Sequence, residues 1–551
     1  GRVMRTATRV GTGSSTAAII FVAVIGAFGG ALFLIRAIDE RWLVIAVLLT
    51  AIGGLSTVAF SRWRTGVLLF FVWIAFEDLA RKYLDNALII YAAKDILVLA
   101  TYAGYLFWLK RRGERLFRNP VLLPILLLFA WAVLQTLNPG IDSPLTPIVG
   151  LRMWFLYVPM MYLGYAFLKH DGHLRGFIVV LMVVGSMVGL LGIIQAIVGL
   201  EFLNPDELLP NVRLFLVRNF GDPFGSFTVV RPNSTFLDAG RFATYVFGIF
   251  YVGLGGLAYF YSVRKRSRTR RLSLPIFACW AIVFAALFIS AQRASIVWLI
   301  LTIPIFFLAW LVAGSRRGVP GFGHRFPLMQ VLVLGAVGAL VLVLLIPRQL
   351  EGVYRFYDET LSPLGTQSEL WNRGAWWTGV RYAMDASVLG HGTGMNSLGK
   401  QYIFDVNPYD PADPELTRLG GVEGGYAATV WEWGIVGLGL WFLMSGLLLI
   451  RMWGRLRDMG RTPYFWFGVS IVSYTFFILF PWFALGFQVY QNYVVQPLLW
   501  FLVGLYFKVA DIGKSSEVHG QRRLQEVPPS APVDLQESSA EGGGPGALRE
   551  P

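Results

Sequence analysis

Residues 174–199 read LRGFIVVLMVVGSMVGLLGIIQAIVG, an apolar run with a single charge, Arg175. As a helix it would be about 39 Å long at 1.5 Å per residue, more than the roughly 30 Å of hydrocarbon in a bilayer. Strands of a membrane barrel alternate apolar and polar side chains, and this run does not alternate. Further runs of this kind lie at 17–35, 42–60, 66–81, 88–109, 121–138, 150–168, 241–263, 273–290, 294–313, 327–346, 425–450, 462–482 and 493–509. The run at 66–81 is the weakest, because Glu77, Asp78, Arg81 and Lys82 crowd its end. The run at 17–35 follows Arg2, Arg5 and Arg9 as in a signal peptide, but it is long and many runs follow, so it reads as retained. The expected fold is all-α: a polytopic helical membrane protein with about 14 transmembrane helices and a large, partly helical extracytoplasmic loop.

Composition agrees. The chain has 551 residues, 56% hydrophobic and only 15% charged, against about 25% charged in soluble domains. A large soluble enzyme and a disordered chain are both excluded. Lys plus Arg exceed Asp plus Glu by 14. In a membrane protein such an excess marks cytoplasmic loops, so no nucleic-acid partner is expected. Cys279 is the only cysteine, which excludes an intrachain disulfide and a cysteine-based zinc site.

The distribution of Lys and Arg orients the runs. Loops at 61–64, 110–118, 169–175, 264–271, 315–325 and 451–461 hold 22 basic residues and fall on one side. Opposing loops at 36–41, 81–85, 139–149, 200–240, 290–293 and 483–492 hold 8. The basic side is cytoplasmic, both termini lie on it, and the long loops 200–240 and 347–424 face outward. The chain divides into N-terminal transmembrane helices (1–200), a catalytic-type transmembrane core with those two loops (201–510), and a Pro-, Ser-, Gly- and Glu-rich tail (511–551) expected to be a disordered cytoplasmic segment.

Candidate chemistry lies at the outer edge. Arg231, Arg241 and Arg293 all map there. A guanidinium matches phosphate oxygens bidentately, and helices starting near 241 and 294 would point positive N-terminal ends the same way. Such a set could form a metal-free diphosphate site; equally, these are arginines snorkelling to an interface. In the second loop, Thr366-Gln-Ser-Glu369 fits a capping box opening a helix, on which Arg373, Trp377 and Arg381 share a stripe. Ten aromatic residues between Tyr354 and Tyr409 suit sugar faces or a lipid interface. Gly390-His-Gly-Thr-Gly394 lacks the lysine of a nucleotide loop and reads as a tight turn; its His391 is structural or a base. Glu423, ahead of the run at 425–450, is either a charge favoured by the helix N-terminus or, if buried, a base for a hydroxyl. Glu432, deeper in that run, is a functional acid or a helix-packing hydrogen-bond acceptor. Lys94 and Asp95 are adjacent in a run, face apart and need separate partners.

Read in order, these segments resemble the O-antigen ligase and O-antigen polymerase family of bacterial membrane proteins. The resemblance rests on Arg231-Pro-Asn-Ser-Thr-Phe236 before Phe242-Ala-Thr-Tyr245, Ala291-Gln-Arg293-Ala294 after Ser290, Arg373 to Trp377, Gly390 to Gly394, and Tyr426 with Glu432-Trp-Gly-Ile-Val-Gly437. It covers about residues 225–440; the first 200 residues add only hydropathy. It implies glycosyl transfer from a polyprenyl-diphosphate-linked glycan to a glycan or lipid acceptor at the outer face of the cytoplasmic membrane, without metal or nucleotide, possible partners being other polysaccharide-assembly proteins. By the same resemblance, Arg231 and Arg293 bind the diphosphate, with Arg241 a rival for Arg231; in the inverting displacement this favours, Glu423 orients or deprotonates the attacking hydroxyl. Arg373, Trp377, Arg381, His391 and Tyr426 contact substrate. Ligases of this family usually carry a histidine three residues before the tyrosine, where this chain has Glu423, so a polymerase is favoured over a ligase. A lipid-linked oligosaccharide flippase is the rival of another class; transporters, however, gather polar residues at the bilayer midplane, and here they gather at the outer edge.

Overall fold

The computed structural model describes residues 41–84, 88–206, 208, 217–222, 225–263, 267–314, 352–353, 355, 376–404, 421–460, 462–486 and 488–525. Its helices are α1 (Arg41–Ser61), α2 (Trp63–Tyr83), α3 (Leu88–Arg112), α4 (Leu122–Leu134), α5 (Thr146–Phe155), α6 (Met160–Phe167) and α7 (Asp171–Val198), followed by α8 (Ala239–Ser262), α9 (Ser267–Ile289) and α10 (Arg293–Gly314). Then come α11 (Trp376–Ala386), α12 (Gly425–Met459), α13 (Phe465–Leu479), α14 (Pro481–Leu485), α15 (Gln488–Gln491) and α16 (Val495–Gln525). The expectation of an all-helical body holds with one exception. Within the loop expected at 200–240, β1 (Val217–Asp222) and β2 (Gly225–Val230) pair antiparallel, with Val217 opposite Val230.

Among the described residues, seven helices are long and apolar enough to cross a membrane: α3, α7, α8, the 272–289 part of α9, α12, the joined α13–α14, and the 495–514 part of α16. Shorter apolar helices cover 45–61, 122–137 and 293–309. Leu123 is 67% exposed and Leu134 55%, so α4 turns aliphatic side chains outward, as a helix facing lipid does. The chain is thus a helical membrane protein. The expected runs at 17–35 and 327–346 lie outside the described residues. The run at 150–168 is not one helix: α5 ends at Phe155 and α6 begins at Met160. Pro159 is the reason, since it has no N–H to donate and its ring collides with the carbonyl of Phe155 in a continuous helix.

The run judged weakest is α2, and it is buried along most of its length. Glu77, Asp78, Arg81 and Lys82 are each no more than 4% exposed. Their charge does not end a span at water; it is paired inside the protein.

Close backbone approach holds the bundle. A Cβ placed on Gly164 of α6 would stand 2.0 Å from the Phe501 carbonyl oxygen, and one on Gly504 of α16 would stand 1.9 Å from that of Met161. These helices touch main chain to main chain, as small residues allow in membranes. Gly504→Val should therefore lower stability by about 1–3 kcal/mol or more. The measurement is thermal unfolding in detergent; an unchanged midpoint would show that α6 and α16 are not in this contact.

Candidate functional site

The segment R-P-N-S-T-F-L-D, residues 231–238, is built as a buried polar knot. Asn233, Ser234 and Thr235 have no exposed surface. The Gln195 side-chain carbonyl on α7 accepts the N–H groups of Asn233 (2.9 Å) and Ser234 (2.7 Å). Its amide donates to Asn233 Oδ1 at 2.9 Å, which also accepts from Asn204 at 3.2 Å. The Ser234 hydroxyl donates to the Val188 carbonyl at 2.7 Å, and that of Thr235 to the Ala75 carbonyl at 2.7 Å. Ser234 has φ +50°, a conformation costly outside glycine, and these bonds hold it. Asp238 then caps α8, accepting the N–H of Arg241 at 3.3 Å.

This knot is fastened to the end of α2. Asp78 Oδ1 accepts from Arg81 Nη1 at 2.5 Å, and its Oδ2 accepts from Arg241 Nη1 at 2.9 Å and from the Leu237 N–H at 3.3 Å. Lys82 Nζ donates to the Ser234 carbonyl at 2.6 Å. Arg81 lies 4.7 Å from the Tyr91 ring and Arg241 5.5 Å from that of Tyr493. The first 200 residues therefore contribute more than hydropathy: Asp78, Arg81 and Lys82 belong to the wall that positions residues 231–241. Sequence reasoning took them as the ragged end of a span. The available signal was their i, i+3 and i, i+4 spacing of opposite charges on an otherwise apolar helix.

The partners missing for Lys94 and Asp95 are now named. Lys94 Nζ pairs with Glu77 Oε1 at 2.6 Å, and Trp73 donates to the other oxygen of Glu77 at 3.1 Å. Asp95 accepts from Arg152 Nε at 2.6 Å and from the Tyr157 hydroxyl at 2.9 Å. Glu77, Asp78 and Asp95 each have a cationic and a neutral donor, which offsets the burial of their charge.

Arg231 reaches the turn that precedes Arg293. Arg231, 9% exposed, donates from Nη2 to Gln292 Oε1 at 2.6 Å. Gln292 immediately precedes half-buried Arg293, the first residue of α10, and Ala291 makes the turn with φ +48°. Arg241 is instead engaged by Asp78.

The second loop forms a separate hub. Arg373 and the capping box at 366–369 lie outside the described residues. Trp377 is 59% and the Arg381 side chain 76% exposed on α11. The glycine turn is confirmed, with φ of +87° at Gly390, +108° at Gly392 and +92° at Gly394. His391 packs 4.4 Å from the Trp431 ring and donates its backbone N–H to the Trp431 carbonyl at 2.7 Å; burial pushes its imidazole below the ordinary histidine value. Glu432, fully buried, accepts from Trp154 Nε1 (2.9 Å), the N–H groups of Gly394 and Asn396 (3.0 Å each) and the Ser397 hydroxyl (3.1 Å). Its role is to hold the turn against α12. Tyr426 donates its hydroxyl to the Phe480 carbonyl at 3.2 Å. Glu423 stands exposed just ahead of α12, so the burial that a base role called for is absent. Among the described residues no group of three His, Cys, Asp or Glu side chains could hold a metal ion. No protein-family model matches the chain, and a search of curated proteins finds no match.

Two predictions follow from the hub. Glu432→Gln places an amide NH₂ among four donors and should cost about 3 kcal/mol, read as a fall in thermal midpoint; an unchanged midpoint would remove Glu432 from its place as anchor. Outside the bundle, Asp142 joins the same segment through Lys400 Nζ at 2.8 Å and the Thr146 hydroxyl at 2.8 Å. Burial alone would raise the Asp142 carboxyl, but the bonds from Lys400 and Thr146 hold it below the ordinary value. A depressed folded value means the tie is complete above the unfolded value of about 3.9 and is lost as pH falls through the folded one. Hydrogen exchange at residues 398–402 should quicken beyond its intrinsic rate as the pH drops below about 4. That step should vanish in Lys400→Met; its persistence there would assign it elsewhere.

Proposed function

We propose that the protein transfers glycan from a polyprenyl-diphosphate-linked donor, extending a polysaccharide at the outer face of the cytoplasmic membrane. In this reading the shorter apolar helices and the runs outside the described residues bring the crossings to about fourteen, with both termini in the cytoplasm. The observation that carries it is the bond from Arg231 to Gln292, the residue before Arg293 at the start of α10. Two guanidiniums near a helix N-terminus suit an anion with several oxygens.

The reaction follows from that placement. A hydroxyl of the acceptor glycan attacks the anomeric carbon of the donor sugar. The new C–O bond forms as the bond from that carbon to the diphosphate oxygen breaks, with inversion. Arg231 and Arg293 take up the negative charge growing on the leaving diphosphate. Gln292 holds Arg231 in place until the diphosphate arrives. Arg241, tied to Asp78, contributes positive potential and the rigidity of the 231–238 turn. Glu423, exposed ahead of α12, takes the hydroxyl proton once the acceptor glycan covers it. Arg381 and Tyr426, with Arg373, belong to the acceptor side.

The test is chain growth by purified protein on lipid-linked repeat units. Arg293→Lys keeps the charge but loses the fork and should reduce kcat by roughly 100-fold; full activity would refute bidentate diphosphate binding. Glu423→Gln should slow turnover by about tenfold or more, and wild-type rates would remove it from the chemistry. In cells, loss of the protein should leave single repeat units; unattached long polymer would identify a ligase instead.

A further inference from the structure

Helix α12 is broken. Gly434 has φ +66° and ψ −169°, far from helical values, within an otherwise continuous run from Gly425 to Met459. A break leaves backbone donors and acceptors without helical partners, which is costly away from water. Here other segments supply them. The Ile435 N–H donates to the Val388 carbonyl at 3.0 Å. The Trp431 carbonyl accepts from the His391 N–H and that of Glu432 from the Gly392 N–H, at 2.7 and 3.0 Å. The Trp433 carbonyl accepts from Trp131 Nε1 at 2.9 Å. The fit is main chain to main chain: a Cβ on Gly434 would stand 2.3 Å from the Val388 carbonyl oxygen, and one on Gly390 2.6 Å from that of Glu432. Residues 388–392 thus replace a missing turn of α12.

The depth of this splice can be read along α12. Residues 433–450 carry no charge, and Arg451 is the next basic residue. From Arg451 back to Ile435 is about 24 Å of helix, most of the roughly 30 Å hydrocarbon thickness. Ile435 therefore lies near the hydrocarbon boundary at the end opposite Arg451. Its surroundings change character in the order a bilayer imposes. Val388 and Leu389 are 55% and 63% exposed, beside Ile435 at 41% and Val436 at 40%. Next come rings: Tyr382, 61% exposed, lies parallel to Trp431 with centroids 6.1 Å apart, and Trp377 is nearby on the same helix. Charged Arg381 and Asp385, each 76% exposed, complete α11. Its other face, Val380 and Ala383, is fully buried, so α11 cannot turn its rings inward.

We propose that α11 and the splice after it form a lipid-seated element in the leaflet where α12 begins. Val388 and Leu389 lie among acyl chains, Tyr382 and Trp377 lie at headgroup level, and Arg381 and Asp385 reach water. The occupant of this exposed apolar face is the bilayer, because the face continues without interruption the outward aliphatic side of α12. The splice makes the end of the long loop an extension of the membrane-spanning body, fixed in depth by the Gly390–Gly434 interlock.

The single native cysteine makes the test direct. In a Cys279→Ser background reconstituted into phosphatidylcholine–phosphatidylglycerol vesicles, cysteines at position 389 and at position 381 are compared. Leu389→Cys should react about tenfold or more slowly with a charged, impermeant maleimide than Arg381→Cys. A fluorophore at 389, but not at 381, should be quenched by lipids carrying a nitroxide on the acyl chain. Val388→Cys repeats the test should Leu389→Cys fail to fold. Equal reactivity at the two positions, or absence of acyl-chain quenching at both 388 and 389, overturns the proposal and gives the face to a water-borne partner such as glycan. Neither outcome depends on glycosyl transfer.

Discussion

A carboxylate with no access to water must be surrounded by donors, and Asp78 is that carboxylate here. It takes Arg81 from its own helix, Arg241 from α8, and the Leu237 N–H from the turn between. Removing one partner from a buried set of this kind costs about 3–5 kcal/mol, because the remaining charge cannot be hydrated. The position of residues 231–241 is therefore dictated from α2, over 150 residues earlier in the chain. Lys82, bound to the Ser234 carbonyl, and Thr235, bound to that of Ala75, repeat the same tie with neutral partners.

Glu432 obeys the same constraint at the other hub, with four donors and no cation among them. Trp154 links the two regions. Its indole N–H meets Glu432, and its carbonyl accepts from Gln496 at 2.7 Å. Near Gln496, Asn492 donates to Thr244 of α8 at 3.2 Å, and the Tyr493 ring faces Arg241. Buried acids, Asp78 and Glu432 among them, thus tie distant segments of the bundle together, with aromatic packing such as Trp441 on Phe483, 4.2 Å between centroids, filling the space around them.

What could be read from sequence follows from the range of the forces involved. Continuous hydrophobicity is local, so α7 and α8 were legible within a few residues of their ends. Pairing is not local. Asp95 finds Arg152 57 positions away, and Lys94 finds Glu77 17 away, so hydropathy counted α2 as a poor span when its charges are in fact compensated. The glycine turn at 390–394 was legible because three glycines need positive φ; that it repairs a break at Gly434 was not, since Glu-Trp-Gly-Ile reads as ordinary helix. Pro159 was a local signal against one helix over 150–168, outweighed by the apolar residues around it. The hairpin at 217–230 left no alternation strong enough to register. Of the candidate site, the meeting of Arg231 with the Arg293 turn was legible through their common sidedness, whereas the capture of Arg241 by Asp78 required the fold.

That capture separates the roles of the three arginines. In the proposed reaction a diphosphate must draw guanidiniums away from whatever holds them. Arg241 is held by a fully buried carboxylate, and taking it would strand that charge. Arg231 donates to the amide of Gln292, and a phosphate oxygen in place of that amide oxygen sets an opposite charge against a donor that is already ionised. The amide lies on the residue before Arg293, so a ligand that displaces it arrives at the start of α10, where the helix dipole favours an anion. The same buried acid that fixes the turn therefore also withholds Arg241 from a ligand.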